Sequence, residues 1–163
     1  MLFRSFSKGK TVVGSNNLLM ESMHIAHDCV IGNNCIIGNS TKFAGEVTVD
    51  DCAIISASVL VHQFVHIGGY VMIQGGCRTS QDIPPYIIAG KEPIRFAGLN
   101  LIGLRRRGFS NETILALREA YNAIYSKGVI KEGLEAVRNT MEITPEIQYV
   151  LDFIEKAERG IIR

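Results

Sequence analysis

The chain has 163 residues, 47% of them apolar, and a formal net charge of +1 at neutral pH. A balance so near neutrality gives no general affinity for nucleic acid, and no apolar run approaches the roughly 18 residues of a membrane span. The short basic opening, Met1 to Lys10, lacks the apolar core of a secretion signal, so the expectation is a cytoplasmic protein of one domain or two small ones.

From Val13 an apolar residue recurs every six positions, at Leu19, Ile25, Ile31, Ile37, Phe43, Val49, Ile55, Val61, Ile67 and Ile73. So regular a period is the mark of a stacked solenoid and not of a helix. Two residues ahead of each lies a second series, Thr11, Asn17, Met23, Cys29, Cys35, Thr41, Val47, Ala53, Val59, Val65 and Val71, small or apolar nearly throughout. At strand spacing both series face inward. The slot after each sixfold residue holds Gly14, Ala26, Gly32, Gly38, Ala44, Asp50, Ser56 and Gly68, often followed by Asn or Asp, which predicts corners with left-handed backbone angles. Three strands and three corners close one coil, and coils stack at about 4.8 Å. The spacing says nothing about the hand of the coil. Cys29, Cys35 and Cys77 fall in the small inward slot and are expected to pack there, without metal or disulfide; Cys52 lies outside that slot and is given no chemistry.

Positions one coil apart share a column along the stack, so His27, Gly45 and Gln63 align, Asp28 and Glu46 form the adjacent column, and His24 aligns with Lys42. Three readings stay open on the residues alone. His27 followed by Asp28 is the pairing a general base needs, since a carboxylate holds the imidazole tautomer and stabilises the imidazolium. Neighbours on a straight strand face opposite sides, so this requires a bend at that point, and the competing view is of exposed corner residues. In the second reading His62 and His66 join His24 and His27 around zinc, but the two occupy different slots of successive hexads and no carboxylate or thiolate completes the set. The third is a scaffold without chemistry, in which Arg105-Arg106-Arg107 is a solvated helix end and not a phosphate or acidic-partner site.

The hexads fade after Gly76, and Pro84-Pro85 with Lys91-Glu92-Pro93 predict a linker that continues neither strand nor helix. The expected division is a partial β-helix over 1–83, then linker and helical domain over 84–163. Gly98 to Arg107 reads as a short helix ended by Gly108. Ser110 reads as the N-cap of a helix carrying Ile114, Leu117, Ala120, Tyr121, Ile124 and Tyr125, with Gly128 after it. A third helix is expected from Ile130 to Met141 despite Gly133. Thr144-Pro145-Glu146 reads as cap and first turn of a last one carrying Ile147, Val150, Leu151, Ile154 and Ala157.

Five stretches occur together in order: Asn17-Leu18-Leu19-Met20, His24-Ile25-Ala26-His27-Asp28-Cys29, Val61-His62-Gln63-Phe64, Gln81-Asp82-Ile83-Pro84-Pro85-Tyr86 and Gly103-Leu104-Arg105-Arg106-Arg107-Gly108-Phe109. Together they resemble the acyl-carrier-protein:UDP-N-acetylglucosamine O-acyltransferase family over about residues 11 to 163, including the closing Arg159-Gly160-Ile161-Ile162-Arg163. The resemblance implies a left-handed parallel β-helix followed by a small helical domain, in a homotrimer with sites between subunits. It implies transfer of a 3-hydroxyacyl chain from acyl carrier protein to the 3-hydroxyl of UDP-N-acetylglucosamine, the start of lipid A synthesis in Gram-negative bacteria, with neither metal nor other cofactor. Sugar N-acyltransferases share the coil but not this combination of motifs.

Carried over position by position, the resemblance makes His27 the base, Asp28 its orienting carboxylate and Gly45 the backbone donor to the oxyanion. His24, His62 and Gln63 fall on positions that contact or shape the sugar-nucleotide pocket. Asn100, Arg106 and Arg107 fall near phosphates and carrier protein, and Gly75 in the region that limits acyl-chain depth. A glycine there leaves room, giving an expected chain of about fourteen carbons or more. Two departures stand out. Glu46 replaces a histidine frequent in the family, exchanging a cationic donor for an acceptor. Members also begin with several further coils, and Met1-Leu2-Phe3-Arg4-Ser5-Phe6 does not continue the hexads. The alternative implied by that shortness is a truncated trimeric scaffold with weak or no activity.

Overall fold

The computed structural model describes residues 9–163, so the reading of Met1 to Phe6 lies outside the described residues. Two-residue strands follow one another at six-residue intervals: β1 (Val12–Val13), β2 (Leu18–Leu19), β3 (His24–Ile25), β4 (Val30–Ile31), β5 (Ile36–Ile37), β6 (Lys42–Phe43), β7 (Thr48–Val49), β8 (Ile54–Ile55), β9 (Leu60–Val61), β10 (His66–Ile67), β11 (Met72–Ile73) and β12 (Arg78–Thr79). From β1 to β9 each pairs in parallel with the strand three further on, Val12 opposite Val30 and Val13 opposite Ile31. The result is a parallel β-solenoid of three faces. Face 1 stacks β1, β4, β7 and β10, face 2 stacks β2, β5, β8 and β11, and face 3 stacks β3, β6, β9 and β12.

From Cys29 onward both inward series are buried as their spacing requires, with Ile31, Ile37, Phe43, Val49, Ile55, Val61, Ile67 and Ile73 forming the axis of the core, whereas in the first described coil Thr11, Val13 and Leu19 are exposed and Asn17, Met23 and Ile25 half-buried. Removing each such side chain from water contributes about 1.5–3 kcal/mol. The small slot also has a polar task. Thr11 Oγ1 donates to Ala26 O at 2.9 Å, Asn17 Nδ2 to Gly32 O at 2.8 Å, Cys29 Sγ to Ala44 O at 3.1 Å, Cys35 Sγ to Asp50 O at 3.3 Å and Thr41 Oγ1 to Ser56 O at 2.8 Å. In each case a side chain one coil below satisfies a carbonyl at the corner above it, which a purely apolar residue would leave unpaired. The four cysteines are buried free thiols.

The corners turn differently from the expectation. Positive φ recurs every sixth residue at Asn16, Ser22, Asp28, Asn34, Ser40, Glu46, Cys52, Ser58, Phe64 and Tyr70, two positions beyond the slot that follows each strand. Glycine in that earlier slot serves clearance: a Cβ on Gly32 would lie 2.8 Å from Asp51 N, and one on Gly38 2.5 Å from Ala57 N, both in the next coil. Asn, Asp and Ser tolerate the left-handed region through local hydrogen bonding, whereas the bulkier residues hold it only because the stack dictates it.

Beyond Gly76 the solenoid continues. Thr79 of β12 keeps the sixfold burial, and Ile83 forms a parallel bridge with Ile67. The expected linker is instead an antiparallel hairpin, β13 (Ile87–Gly90) and β14 (Arg95–Leu99), with β13 laid in parallel on β11 so that Gln74 N donates to Ala89 O at 2.9 Å. Pro84 and Pro85 precede the paired segment and Pro93 sits in the turn, so none interrupts a ladder. Gly98 and Leu99 consequently belong to a strand. Helix α1 (Leu101–Arg106) starts later than expected, capped by Asn100 Oδ1, which accepts from Gly103 N at 3.2 Å.

The remaining helices, α2 (Asn111–Ser126), α3 (Ile130–Thr140) and α4 (Pro145–Glu155), follow the periodicity, with Ser110 and Thr144 as side-chain N-caps. Gly133 is explained by proximity: a Cβ there would meet Ile124 O of α2 at 2.5 Å. The helices lock onto the coils through polar contacts. Tyr121 Oη donates to Pro85 O at 2.6 Å, Ile162 N to Asp82 O at 3.1 Å, and Tyr149 Oη, itself accepting from Gly69 N, donates to the Asp50 carboxylate. Burial first, and then Asp50, push the Tyr149 phenol well up. Tyr149→Phe is expected to cost about 1–2 kcal/mol of unfolding free energy, measurable by urea titration, since it leaves Gly69 N–H and a half-buried carboxylate without this partner.

Candidate functional site

His27 stands at the corner where the chain leaves β3 on face 3 for β4 on face 1. The bend that the base reading requires is present: Asp28 has φ +60°, which swings its carboxylate back beside the imidazole, and His27 Nδ1 lies 2.9 Å from Asp28 Oδ2. The Asp28 side chain is fully buried while that of His27 is 54% exposed. With the proton on Nδ1 donated to Asp28, Nε2 presents its lone pair outward, as a base must.

Gly45 lies one coil above. A Cβ there would run into the imidazole, coming within 2.5 Å of Nε2, so the ring occupies the space that only glycine leaves open. Its neighbours tie the column together, Glu46 N donating to His27 O at 3.0 Å and Phe64 N to Gly45 O at 3.2 Å. The Gly45 N–H makes no hydrogen bond with another described residue, which leaves a backbone donor on the same column as the imidazole. Gly45→Ala is expected to displace the ring and lower turnover by about 10²-fold with the fold intact, read by activity beside circular dichroism.

Gln63 forms the next rung of the column and is exposed; His62 Nδ1 lies 3.1 Å from Gln63 O. His24 and His62 flank the corner on face 3 and line a cleft of about 500 Å³. Glu46, at φ +61°, is half-buried next to Gly45.

The remaining expected site residues lie elsewhere on the chain. Asn100, Arg106 and Arg107 line a cavity of about 750 Å³ against the outer side of face 2, walled by Ile36, Ile54 and Met72. Asn100 caps α1 through Oδ1 and donates from Nδ2 to Tyr70 O at 3.0 Å, which leaves its second Nδ2 hydrogen for another acceptor. Arg107 donates to Cys52 Sγ at 3.0 Å and Asn34 O at 3.3 Å, with its guanidinium 5.8 Å from the Tyr70 ring centroid, so it is an anchor to the coil and not merely a solvated helix end. Gly75 is exposed at the corner after β11, between faces 2 and 3. A single chain thus assembles His27, Asp28, Gly45, Glu46 and Gln63, places His24 and His62 beside them, and carries Gly75 and the Asn100 to Arg107 group on other parts of its surface.

His66 is not part of this grouping. It projects from face 1, where Nε2 lies 2.8 Å from Asp50 Oδ1 and the ring 4.5 Å from that of Phe153. Among the described residues no three His, Cys, Asp or Glu side chains converge as a metal site would need. The Asp50, His66 and Tyr149 network and the Arg107 to Cys52 contact were missed by sequence reasoning. Tyr149 is 99 positions from Asp50 and Arg107 is 55 from Cys52, and no repeat relates them.

Residues 82–162 match the family described as UDP N-acetylglucosamine O-acyltransferase, domain 2, and residues 10–45 match the bacterial transferase hexapeptide (six repeats). An acyl-[acyl-carrier-protein]–UDP-N-acetylglucosamine O-acyltransferase of Aliivibrio salmonicida is 44% identical over 157 residues, 96% of this chain. The chain spans 60% of the length of that relative. Among solved structures, a UDP-N-acetylglucosamine acyltransferase from Bacteroides fragilis superposes with TM-score 0.96 at 61% identity, covering 98% of this chain and 63% of the other. The Francisella novicida enzyme of the same description gives 0.91 at 36% identity, covering 96% and 58%.

Proposed function

The chain belongs to the family of acyl-[acyl-carrier-protein]:UDP-N-acetylglucosamine O-acyltransferases, and on that premise we propose that its site transfers a 3-hydroxyacyl chain from acyl carrier protein to the sugar 3-hydroxyl of UDP-N-acetylglucosamine, the opening step of lipid A synthesis in the cytoplasm. The observation that carries the proposal is His27 Nδ1 at 2.9 Å from the buried Asp28 carboxylate, with the imidazole packed over Gly45. His27 Nε2 takes the proton of the 3-hydroxyl as its oxygen attacks the thioester carbonyl. Asp28 holds the ring and balances the imidazolium. The Gly45 N–H receives the tetrahedral oxyanion, the C–S bond breaks, and the proton passes from His27 to the departing thiolate.

His24, Glu46, His62 and Gln63 surround the sugar nucleotide in this reading, and Asn100, Arg106 and Arg107 meet phosphate and the acidic carrier. The same proposal includes a homotrimer, in which one subunit's corner would meet another's α1 region and so bring these dispersed groups together. The reaction as proposed uses neither metal nor other cofactor, and its chemistry is complete with an imidazole, a carboxylate and a backbone donor.

The test is to incubate the chain with 3-hydroxyacyl-carrier protein and UDP-N-acetylglucosamine and to detect the O-acylated sugar nucleotide by mass. Absence of product from a folded sample would overturn the proposal. Offered carriers of several lengths in competition, the chain is expected to favour acyl groups of about fourteen carbons or more, because Gly75 presents no side chain; a ten-carbon preference would refute this role for Gly75.

A further inference from the structure

The cleft of about 500 Å³ on face 3 contains two cations that neither the sequence motifs nor the mechanism uses. Strand register sets His24, Lys42, Leu60 and Arg78 opposite one another on successive rungs of β3, β6, β9 and β12. At about 4.8 Å per rung, Lys42 and Arg78 are separated by about 10 Å, with Leu60 between them, so both long side chains can reach over it. His62 adds a ring nitrogen from the end of the same rung as Leu60, and no carboxylate lines the cleft.

We propose that Lys42 and Arg78, with the cleft they share with Leu60 and His62, bind and position the phosphate group of a substrate. Elsewhere the outward strand positions are largely aliphatic, as at Val30, Ile36, Ile54 and Met72. Two cations on one face have no packing role and repel each other. The Lys42 ammonium has no ion-pair or hydrogen-bond partner among the described residues. Among the same residues Arg78 pairs with Glu92 alone, at 3.6 Å, with both side chains about two-thirds exposed, an arrangement an incoming phosphate displaces at little cost. A phosphate seated above Leu60 is met by a guanidinium and an ammonium together, and the apolar rung beneath it favours an organic phosphate over the free ion.

The identity of the ligand rests on the function proposed above, which supplies two sources of that chemistry: the diphosphate of the sugar nucleotide and the phosphodiester of the carrier's 4′-phosphopantetheine arm. The test uses the whole chain and reads binding, not turnover. UDP and 4′-phosphopantetheine are titrated separately by calorimetry into the wild type, a Lys42→Ala/Arg78→Ala variant and a charge-conserving Lys42→Arg/Arg78→Lys variant, at low and moderate salt. The alanine variant is expected to bind at least one probe about tenfold or more weakly and with less salt dependence, while the charge-conserving variant stays near wild type. A loss for UDP assigns the cleft to the sugar nucleotide, and a loss for 4′-phosphopantetheine assigns it to the carrier arm. Unchanged affinity for both probes, failure of the wild type to bind either, or an equal loss in the charge-conserving variant would overturn the proposal. Charge-dependent binding without acyl transfer would leave the cleft standing and count against the proposed function; transfer with affinities indifferent to Lys42 and Arg78 would do the reverse.

Discussion

His27→Ala is expected to lower the rate of acyl transfer by about 10²- to 10⁴-fold while leaving the solenoid folded. The imidazole is a surface group at a corner whose backbone geometry is dictated by the stack, so its loss removes no core contact. Far-UV circular dichroism and the urea midpoint should therefore match the wild type while product formation collapses. The companion variant Asp28→Asn separates proton abstraction from positioning. An amide keeps the shape but offers Nδ1 no charge, so a fall in rate with little change in substrate affinity is the pattern of a lost orienting carboxylate. Retention of full activity in His27→Ala would dismiss His27 as the base.

Phe43→Ala should produce the largest loss of stability, about 3–5 kcal/mol by chemical denaturation. Phe43 is fully buried, and its register partners Ile25 below and Val61 above leave no route for collapse along the axis, because each rung is fixed by its own ladder. The effect extends to the site. Phe43 precedes Gly45 by two residues, so the cavity lies directly behind the corner that presents the donor and the base. A variant that is destabilised yet fully active at low temperature would mean the corner is held by its hydrogen bonds alone, through Glu46 N to His27 O and Phe64 N to Gly45 O.

What was legible in the sequence is what repeats. The sixfold apolar series carries the strands, their inward faces and the columns, and so places His27, Gly45 and Gln63 together by spacing alone. The helix caps at Ser110 and Thr144 were legible for a similar reason, because capping chemistry is local. The hairpin Ile87–Gly90 and Arg95–Leu99 was not, since its prolines read as a break when each in fact lies outside the hydrogen-bonded stretch. Local residue preference also misplaced the left-handed corner, because glycine answered there to the coil above and not to a dihedral angle. Lys42 and Arg78 left no motif. Lys42 was legible as the column mate of His24, but Arg78 lies past the point where the hexads fade, and their pairing in an open cleft appears only with the fold.

The left-handed residue at every sixth position has a consequence for how such a chain tolerates insertion and deletion. Adding or removing one to five residues within the coils, unless the extra ones loop out at a corner, puts a strand residue where a corner must be and breaks the stack downstream. Six residues inserted between Asp28 and Gly45 preserve every corner, yet turn all later coils by one face, so that Gly45 and His27 no longer share an edge of the prism. A whole coil of 18 residues, the offset seen in each ladder, conserves the stack and the column, although between Asp28 and Gly45 it sets those two corners one rung further apart. Folding is thus periodic in six, whereas the candidate chemistry needs His27 and Gly45 held at one spacing of eighteen, and an intact fold can be edited into a silent one without replacing a single residue of the candidate site.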